Sequence, residues 1–270
     1  FPGWSWSDGG GAHESTLNGC TLSGNSAMEG GGVTFSTLRN CVLTGNFSTY
    51  MSGGGAFLST LYNCTLSGNS AVWYGGGAYA GTLKNCIIVG NSACGNGGGT
   101  AESKMENCLL SGNTAKLSGG GASAGSLTNC TLTGNSAANC GGGADGSTLY
   151  NCIVYYNTAA QSNNVCAVTA AHSCTTPDPG GTGNITNEPA LVSLGHIAPN
   201  SPCVGKGSAA YAAGVDIDGE SWRNPPSIGC DEVWAGALTG ALAAALQPPV
   251  MTAATHAAIT FSAPIDGRCT

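Results

Sequence analysis

Eight cysteines recur at nearly constant spacing, and their thiols could bind a metal ion or form disulfides. They are Cys20, Cys41, Cys64, Cys86, Cys108, Cys130, Cys152 and Cys174, with steps of 21, 23, 22, 22, 22, 22 and 22 residues. A zinc site needs four ligands that converge on one point, whereas a linear row gives each thiol two neighbours. Stacked strands also hold equivalent Cβ atoms about 4.8 Å apart, wider than the ~3.8 Å of a disulfide. Buried, unreacted thiols are therefore the preferred interpretation.

A second group with chemical potential is a set of carboxylates in the C-terminal third, Asp216, Asp218, Asp231 and Glu232. These side chains could hold Ca²⁺ or supply the paired carboxylates of a glycosidase. The alternative is that Asp218 and Arg223 organise a loop through hydrogen bonds, and we favour this structural role. Other acidic, basic and histidine residues are scattered along the chain. We therefore expect a protein that leans towards being non-catalytic and needs no cofactor, with Ca²⁺ as the one ion considered.

The elements that position these residues follow from a repeat of about 22 residues. Phrases like NCTLSGNSA at 63–71 recur, and GGG keeps the same interval. This period suits a coil of a parallel β-helix or a leucine-rich repeat, but no helical periodicity provides the return leg of the latter. Each coil offers three strand-like pieces, namely C-x-L, the piece after GGG, and T-L. The sequence thus predicts an all-β, right-handed, single-stranded parallel β-helix (a solenoid) of about seven coils.

Alternation along these strands determines which side chains form the core. Aliphatic residues two positions after each cysteine and the leucines of the T-L pieces should form buried ladders, and small alanines such as Ala71 should fill a tight corner. Asparagines before each cysteine should stack at another corner, where amides bond their neighbours and tolerate a left-handed backbone. These residues are Asn40, Asn63, Asn85, Asn107, Asn129 and Asn151. A second asparagine row, which includes Asn69 and Asn91, ends the C-x-L strand.

Composition excludes several functional classes. The chain has 45 glycines in 270 residues, 41% hydrophobic residues, 8% charged residues and a net charge of −7. This balance disfavours a disordered chain and provides no basic surface for nucleic acid. No apolar run is long enough to span a bilayer. The chain opens within the repeat pattern without a visible signal peptide, as expected of a mature exported protein.

The repeats at roughly 9–174 resemble those of secreted bacterial right-handed parallel β-helix proteins, with pectin-lyase-like and polymorphic-outer-membrane-type repeats. The stretch SPCVGKGS…VDIDGESWRNPPSIGCDEVW (201–234) is similar to the closing segment of choice-of-anchor Q proteins. The resemblance implies that this segment closes the helix. Across it, Cys203 and Cys230 could form a disulfide, which export would permit. Residues 236–270 resemble the first strands of an Ig-like or PKD-type module, so we expect regions at 1–175, 176–235 and 236–270.

Surface patterns point to a face that packs on something. The outward positions of the C-x-L strands form a flat, uncharged and half-apolar strip, and such patches usually mark contacts. Aromatic residues also lie near turns or the N-terminus: Trp4, Trp6, Tyr50, Trp73 and Tyr74. They could stack on sugar rings or fill a protein interface, and both interpretations remain open.

These observations favour a non-catalytic structural or adhesive protein, exported to the bacterial cell surface or beyond, that can assemble end to end into fibres. This hypothesis rests on an uncapped first coil and on strand-like residues at Thr255–Ser262 that a neighbour could accept. The alternatives are a carbohydrate-active enzyme (polysaccharide lyase or glycoside hydrolase) and a carbohydrate-binding surface protein. The expected partners are copies of the chain or an extracellular polysaccharide, with neither nucleic acid nor a membrane span.

Overall fold

The computed structural model describes residues 9–234. Within this range the regular structure is entirely β, and no helix long and apolar enough to cross a membrane occurs there. Thirty-one short strands form four parallel sheets, three with 8 strands and one with 7. Each complete coil contributes one strand to each sheet, which confirms the predicted parallel β-solenoid. Trp4, Trp6 and the strands predicted within 236–270 lie outside the described residues.

The four sheets run along the solenoid axis. Sheet 1, after GGG, comprises Ala12–His13, Val33–Thr34, Ala56–Phe57, Ala78–Tyr79, Thr100–Ala101, Ala122–Ser123, Ala144–Asp145 and Val165–Cys166. Sheet 2 comprises Thr16–Asn18, Thr37–Arg39, Thr60–Tyr62, Thr82–Lys84, Lys104–Glu106, Ser126–Thr128, Thr148–Tyr150 and Thr169–Ala171. Sheet 3 comprises Thr21–Ser23, Val42–Thr44, Thr65–Ser67, Ile87–Val89, Leu109–Ser111, Thr131–Thr133, Ile153–Tyr155 and Cys174–Thr175. Sheet 4 comprises Ser26–Ala27, Phe47–Ser48, Ser70–Ala71, Ser92–Ala93, Thr114–Ala115, Ser136–Cys140 and Thr158–Gln161.

Sheet 4 corrects the prediction of three strands per coil. Its strand Ser70–Ala71 pairs in parallel with Phe47–Ser48 on one side and Ser92–Ala93 on the other. Ala71 is buried, as expected of a residue that fills a corner, but its backbone also belongs to this sheet. Two residues are too few to show the alternation by which strands are recognised in a sequence, so the pattern did not reveal this strand.

The core consists of aliphatic residues stacked in register. Leu61 is paired with Leu38 and Leu83 in sheet 2. In sheet 3 the equivalent ladder passes through Leu43, Leu66, Ile88 and Leu110, all at 0% exposure. Burial of apolar surface contributes about 25 cal/mol per Å², and every coil repeats the same contribution. Stability therefore accumulates coil by coil.

Turns between the sheets depend on glycine and asparagine. Asn63 adopts a positive φ of 52° at the corner before sheet 3, which asparagine tolerates better than most residues. In the GGG turn, a Cβ on Gly76 would lie 2.2 Å from the carbonyl oxygen of Ser92. Only glycine permits this close approach of two backbones, which explains why GGG recurs with every coil.

The chain after the last coil covers both the end and one side of the solenoid. Residues 182–185 pair with 172–175, through His172 N–H to Thr182 O at 2.8 Å and Thr175 N–H to Ile185 O at 3.0 Å. Residues 188–234, termed the cover, then lie along sheet 3. The resemblance implied a segment that closes the helix, whereas residues 201–234 belong to this lateral cover and the end is occupied by the preceding turn.

Candidate metal centre in the cover

Three separate stretches of the cover converge on one polar cluster. His196 lies in a hairpin closed by the Leu191–Ile197 bridge, and Asp218 in a hairpin closed by the Val215–Ser221 bridge. His196 Nε2 lies 2.6 Å from Asp218 Oδ2. Asp231 joins them from the final stretch of the cover, so that one donor atom from each of the three side chains lies within 4.8 Å of the others.

Hydrogen bonds fix the orientation of these side chains. His196 Nδ1 lies 2.5 Å from Ser193 Oγ, which leaves Nε2 facing Asp218. Asp231 Oδ2 accepts the Ile197 N–H at 3.0 Å, and the Ile217 N–H donates to Cys230 O at 2.9 Å. These bonds tie the two hairpins to the final stretch, and supporting contacts of this kind typically orient metal ligands.

Asp218 carries the least satisfied oxygen of the cluster. Its side chain is only 5% exposed, and its Oδ1 atom is buried without a hydrogen-bond partner. A buried polar atom without a partner costs about 1–3 kcal/mol, and more when it is charged. Asp218 also lines the cleft beside the cluster, so its carboxylate is a candidate cation ligand.

The remaining two acids of the predicted group have structural roles. Asp216, fully buried, accepts the N–H groups of Asp218 at 3.0 Å, Glu220 at 2.7 Å and Glu232 at 3.0 Å. Glu232, 1% exposed, accepts the N–H and Oγ–H of Ser227 at 2.8 and 2.6 Å. The sequence assigned loop organisation to Asp218, but these two acids perform it.

Arg223 contacts Glu232 and Trp234 within the same loop. Its backbone N–H donates to Glu232 Oε2 at 3.3 Å, and its guanidinium carbon lies 4.6 Å from the ring centroid of Trp234. Arg223 Nε is 4.0 Å from Glu232 Oε1 and forms no ion pair with Asp218. Arg223 therefore contributes to the loop through its backbone hydrogen bond and ion-pair contact to Glu232 and through packing against Trp234.

The environment of the cluster raises the pKa values of Asp231, His196 and Asp216. Burial raises the pKa of Asp231 to about 6. The hydrogen bond to Asp218 raises the pKa of His196 above its usual value, with the nearby Asp231 and Asp216 charges adding to the effect. Burial also raises the pKa of Asp216. Burial thus raises the pKa of the two carboxyl groups, whereas the neighbouring carboxylates raise that of the imidazole.

A shallow cleft of about 130 Å³ gives access to the cluster. His196, Asp218 and Asp231 line it together with Glu220 and Trp234. The sequence identified the carboxylates but treated His196 as isolated. No motif places it near Asp218, because the two residues are 22 positions apart in irregular hairpins, and only the folded cover brings them together.

The cysteine row contains free thiols stacked one per coil. All of its members except the partly exposed Cys20 are buried. A representative pattern is that Cys41 N–H donates to Cys64 Sγ at 3.4 Å, while Cys64 Sγ donates to Tyr62 O at 3.2 Å. Their sulfurs therefore form hydrogen bonds along the axis and do not converge on one point.

Disulfide bonding differs from the prediction. Cys203 and Cys230 are both free and buried. They cannot pair because they pack against different coils: Cys203 belongs to the cluster around Ile153, and Cys230 to the one around Leu109. Instead, Cys140 and Cys166 form a disulfide, with a Cα–Cα distance of 5.9 Å. The two cysteines lie on adjacent coils, but their 26-residue separation does not match the repeat period, so spacing did not identify them.

Exposed aromatic side chains gather on the second to fourth coils. Tyr50, Trp73 and Tyr74 are 60%, 50% and 38% exposed. The Tyr74 ring lies 6.3 Å from that of Tyr79, which in turn stacks on Phe57 at 5.4 Å. We term these five residues the aromatic surface. The sequence identified its three most exposed members.

The four sheets and the polar cluster define a parallel β-solenoid protein with a candidate metal centre. Residues 14–175 match the family described as "Periplasmic copper-binding protein (NosD)", and the chain belongs to this family. The periplasmic description agrees with the expected export. The likeness to polymorphic-outer-membrane-type and choice-of-anchor Q proteins stays a prediction, as does a position on the cell surface.

This family membership corrects the expectation about cofactors. We expected no cofactor, with Ca²⁺ as the one candidate ion. Both expectations are wrong for a family described as copper-binding. Among described residues within the matched range, Cys140, Asp145 and Cys166 form a convergent set, but the disulfide occupies both sulfurs. The cluster of His196, Asp218 and Asp231 lies beyond that range and fits better, because nitrogen and oxygen donors suit Cu²⁺ and Asp218 Oδ1 lacks a partner.

Further comparisons add little. No curated protein matches this sequence. Among solved structures, QnrB1, a plasmid-mediated fluoroquinolone resistance protein, is 11% identical with a TM-score of 0.23, over 65% of this chain and 93% of that one. HetL, a pentapeptide repeat protein involved in heterocyst differentiation regulation from the cyanobacterium Nostoc, is 16% identical with a TM-score of 0.18, over 65% and 89%. TM-scores this low carry no argument about function.

Proposed function

We propose that this protein is an exported, non-catalytic β-solenoid that binds Cu²⁺ through His196, Asp218 and Asp231. The observation that carries the proposal is the convergence of three donor atoms within 4.8 Å, one of them on a buried carboxylate whose other oxygen has no partner. The family description supports copper as the ion. Copper held there would neutralise the negative charge gathered in the cleft.

The donor set supports the divalent rather than the monovalent ion. Imidazole and carboxylate suit Cu²⁺, whereas Cu⁺ is selected by thiolates and thioethers. Within residues 9–234 the free cysteines are buried, apart from the partly exposed Cys20, and lie outside this cluster. At a common site of this kind Cu²⁺ also binds more tightly than the other divalent first-row ions.

Binding, rather than catalysis, is supported by the way the acids are used. Asp216 and Glu232 accept several backbone and side-chain hydrogen bonds each and are fully or almost fully buried. Two of the four predicted acids are thus committed to loop structure, which leaves Asp218 and Asp231 at the cleft with His196. The carbohydrate-active enzyme hypothesis stays a prediction, because the two carboxylates left at the cleft, Asp218 and Asp231, are the ones that we propose bind the metal.

Equilibrium dialysis against Cu²⁺, with metal analysis of the protein, tests this function. The wild type should retain one copper ion per chain, and Asp218→Asn, which preserves shape but removes the charge, should weaken retention at least tenfold. His196→Gln should do the same. His13→Gln is the matched control, because His13 is a more exposed imidazole on the first coil, bonded to Thr34 Oγ1 at 2.7 Å. Equal retention in all four proteins would refute the proposal.

An adhesive role is a second candidate function, and the aromatic surface favours it. Exposed aromatic rings offer apolar faces that sugars and proteins both use. The aromatic surface lies on the N-terminal coils, away from the cover, so polysaccharide binding and copper binding could coexist. End-to-end fibre assembly also stays a proposal, and the turn at 182–185 is an obstacle to it at the C-terminal end, because that end already has a strand partner.

A further inference from the structure

The cover is attached to the solenoid by a row of hydrogen bonds from the corner asparagines. Asn107 Nδ2 donates to Val215 O at 2.6 Å, and Asn129 Nδ2 to Tyr211 O at 2.9 Å. Asn151 Nδ2 donates to Ser208 O at 3.0 Å and its Oδ1 accepts the Ser208 N–H at 2.8 Å. These asparagines are buried, whereas Asn40 and Asn63 on the earlier, uncovered coils are exposed. These polar attachments are therefore confined to the later coils.

Beneath the cover lies the apolar outward face of sheet 3. Leu109 and Ile153 are 1% and 0% exposed, although both point away from the solenoid core. Cys230 packs in the cluster with Leu109, and its N–H donates to Thr131 Oγ1 at 3.1 Å. A Cβ on Gly229 would approach Ile153 Cδ1 to 2.7 Å, which shows how closely the cover follows this face. Removal of the cover would expose a strip of apolar side chains to water.

The final stretch of the cover carries both the contact to sheet 3 and a member of the metal cluster. Cys230 touches the solenoid, and the adjacent Asp231 faces His196 and Asp218. The cover has little regular structure to hold it together, since among the described residues it contains only isolated bridges. Four carboxylates, of Asp216, Asp218, Asp231 and Glu232, are gathered within it and repel one another.

We infer that occupancy of the cluster by Cu²⁺ locks the cover onto sheet 3, and that the metal-free cover opens to expose this apolar strip. The inference rests on the proposed function and deepens it. A ligand that binds only the closed arrangement multiplies the ratio of closed to open molecules by one plus the ratio of the free ligand concentration to Kd. His196, Asp218 and Asp231 come from three different stretches, so only the closed cover assembles the complete cluster.

Hydrogen exchange of the full chain, followed by mass spectrometry with and without Cu²⁺, tests the inference. At a free copper concentration about 100 times Kd, opening of the cover and exchange within it should fall by about 100-fold. Peptides from 188–234 should show this protection. Peptides from sheet 2 are the internal control and should not change.

If copper binding favours closure of the cover, closure must favour copper binding to the same extent. This reciprocity provides a second test at a distance from the metal ligands. Thr131→Val removes the acceptor of the Cys230 N–H and should weaken both cover protection and copper affinity, each by about three- to tenfold. Thr65→Val is the matched control, because Thr65 occupies the equivalent sheet 3 position three coils earlier. It should change neither quantity.

The outcomes separate the two proposals. Copper retention by dialysis without any change in exchange of the cover would overturn the locking inference and leave the proposed function standing. Unchanged copper affinity in Thr131→Val together with faster exchange of its cover would also overturn the inference. Failure of the wild type to retain copper would refute the proposed function, and the inference with it.

Discussion

Asn69 and Asn91, one coil apart, are joined by two hydrogen bonds, since the backbone N–H and the Nδ2 of Asn69 both donate to Oδ1 of Asn91 at 2.9 Å. Asn69 Nδ2 also donates to Leu43 O at 2.9 Å. The same arrangement continues to Asn113 and Asn135. These side chains are fully buried, so a continuous amide ladder runs through the solenoid.

Asn91→Ala should strongly destabilise the solenoid. It removes the acceptor of two buried Asn69 donors and a donor to Leu66 O, and unsatisfied buried groups cost about 1–3 kcal/mol each. We expect a loss of about 2–4 kcal/mol in chemical denaturation. Asn63 lies at an exposed corner with a positive φ, which glycine adopts readily, so Asn63→Gly should change stability by less than about 1 kcal/mol. Equal effects of the two substitutions would contradict the ladder's importance.

The disulfide between Cys140 and Cys166 should stabilise the late coils. Its sequence separation is 26 residues, and closure of a loop of this size contributes about 3 kcal/mol. The Cys140→Ser/Cys166→Ser double variant should therefore unfold at lower denaturant concentration than the wild type. Cys94 is also disulfide-bonded, so reducing agent should lower the stability of the wild type more than that of the double variant. A wild type insensitive to reduction would contradict this prediction.

Stability of the metal-free protein should fall as pH rises through the neutral range. The pKa of Asp231 is raised to about 6 by burial, and that of His196 is raised by its bond to Asp218. Both folded-state pKa values exceed the unfolded ones, so the folded state binds more protons, and the stabilisation present at low pH is lost as pH passes the folded pKa values. We expect a loss of about 1–3 kcal/mol between about pH 4.5 and 7.5. Asp231→Asn should flatten this profile, whereas stability that rises with pH would contradict it.

The aromatic surface should determine any affinity for polysaccharide. Trp73→Ala and Tyr74→Ala remove two adjacent exposed rings and should each reduce binding in affinity electrophoresis by about tenfold, which is the loss expected for one aromatic contact. Leu117→Ala, 42% exposed on a later coil, is the matched control. Equal electrophoretic mobility of the wild type and all variants in gels with every polysaccharide tested would refute the adhesive function.

The sequence was sufficient to predict the solenoid because each coil repeats the same local solution. Leu61, Leu83 and their equivalents occupy one position per period, so their stacking follows from the period alone. The strand at Ser70–Ala71 escaped detection since it is too short to alternate. In the cover no repeat constrains the chain, and the position of each residue depends on contacts with distant coils.

The candidate site shows the same division between local and distant information. Composition and spacing identified Asp218 and Asp231, because acidic residues are rare in this chain. They did not identify His196 as their partner, nor Ser193 as the residue that orients it, since those contacts arise between irregular hairpins. The predicted pairing of Cys203 with Cys230 was wrong for a related reason. Both thiols belong to the cover, and each packs against a different coil of sheet 3.

Electron paramagnetic resonance of the Cu²⁺-loaded protein tests the central claim most directly. The wild-type spectrum should show hyperfine coupling to an imidazole nitrogen, and this coupling should disappear in His196→Gln while it persists in His13→Gln. Identical spectra from the two variants, with nitrogen coupling retained in both, would contradict the assignment of copper to the cluster of His196, Asp218 and Asp231.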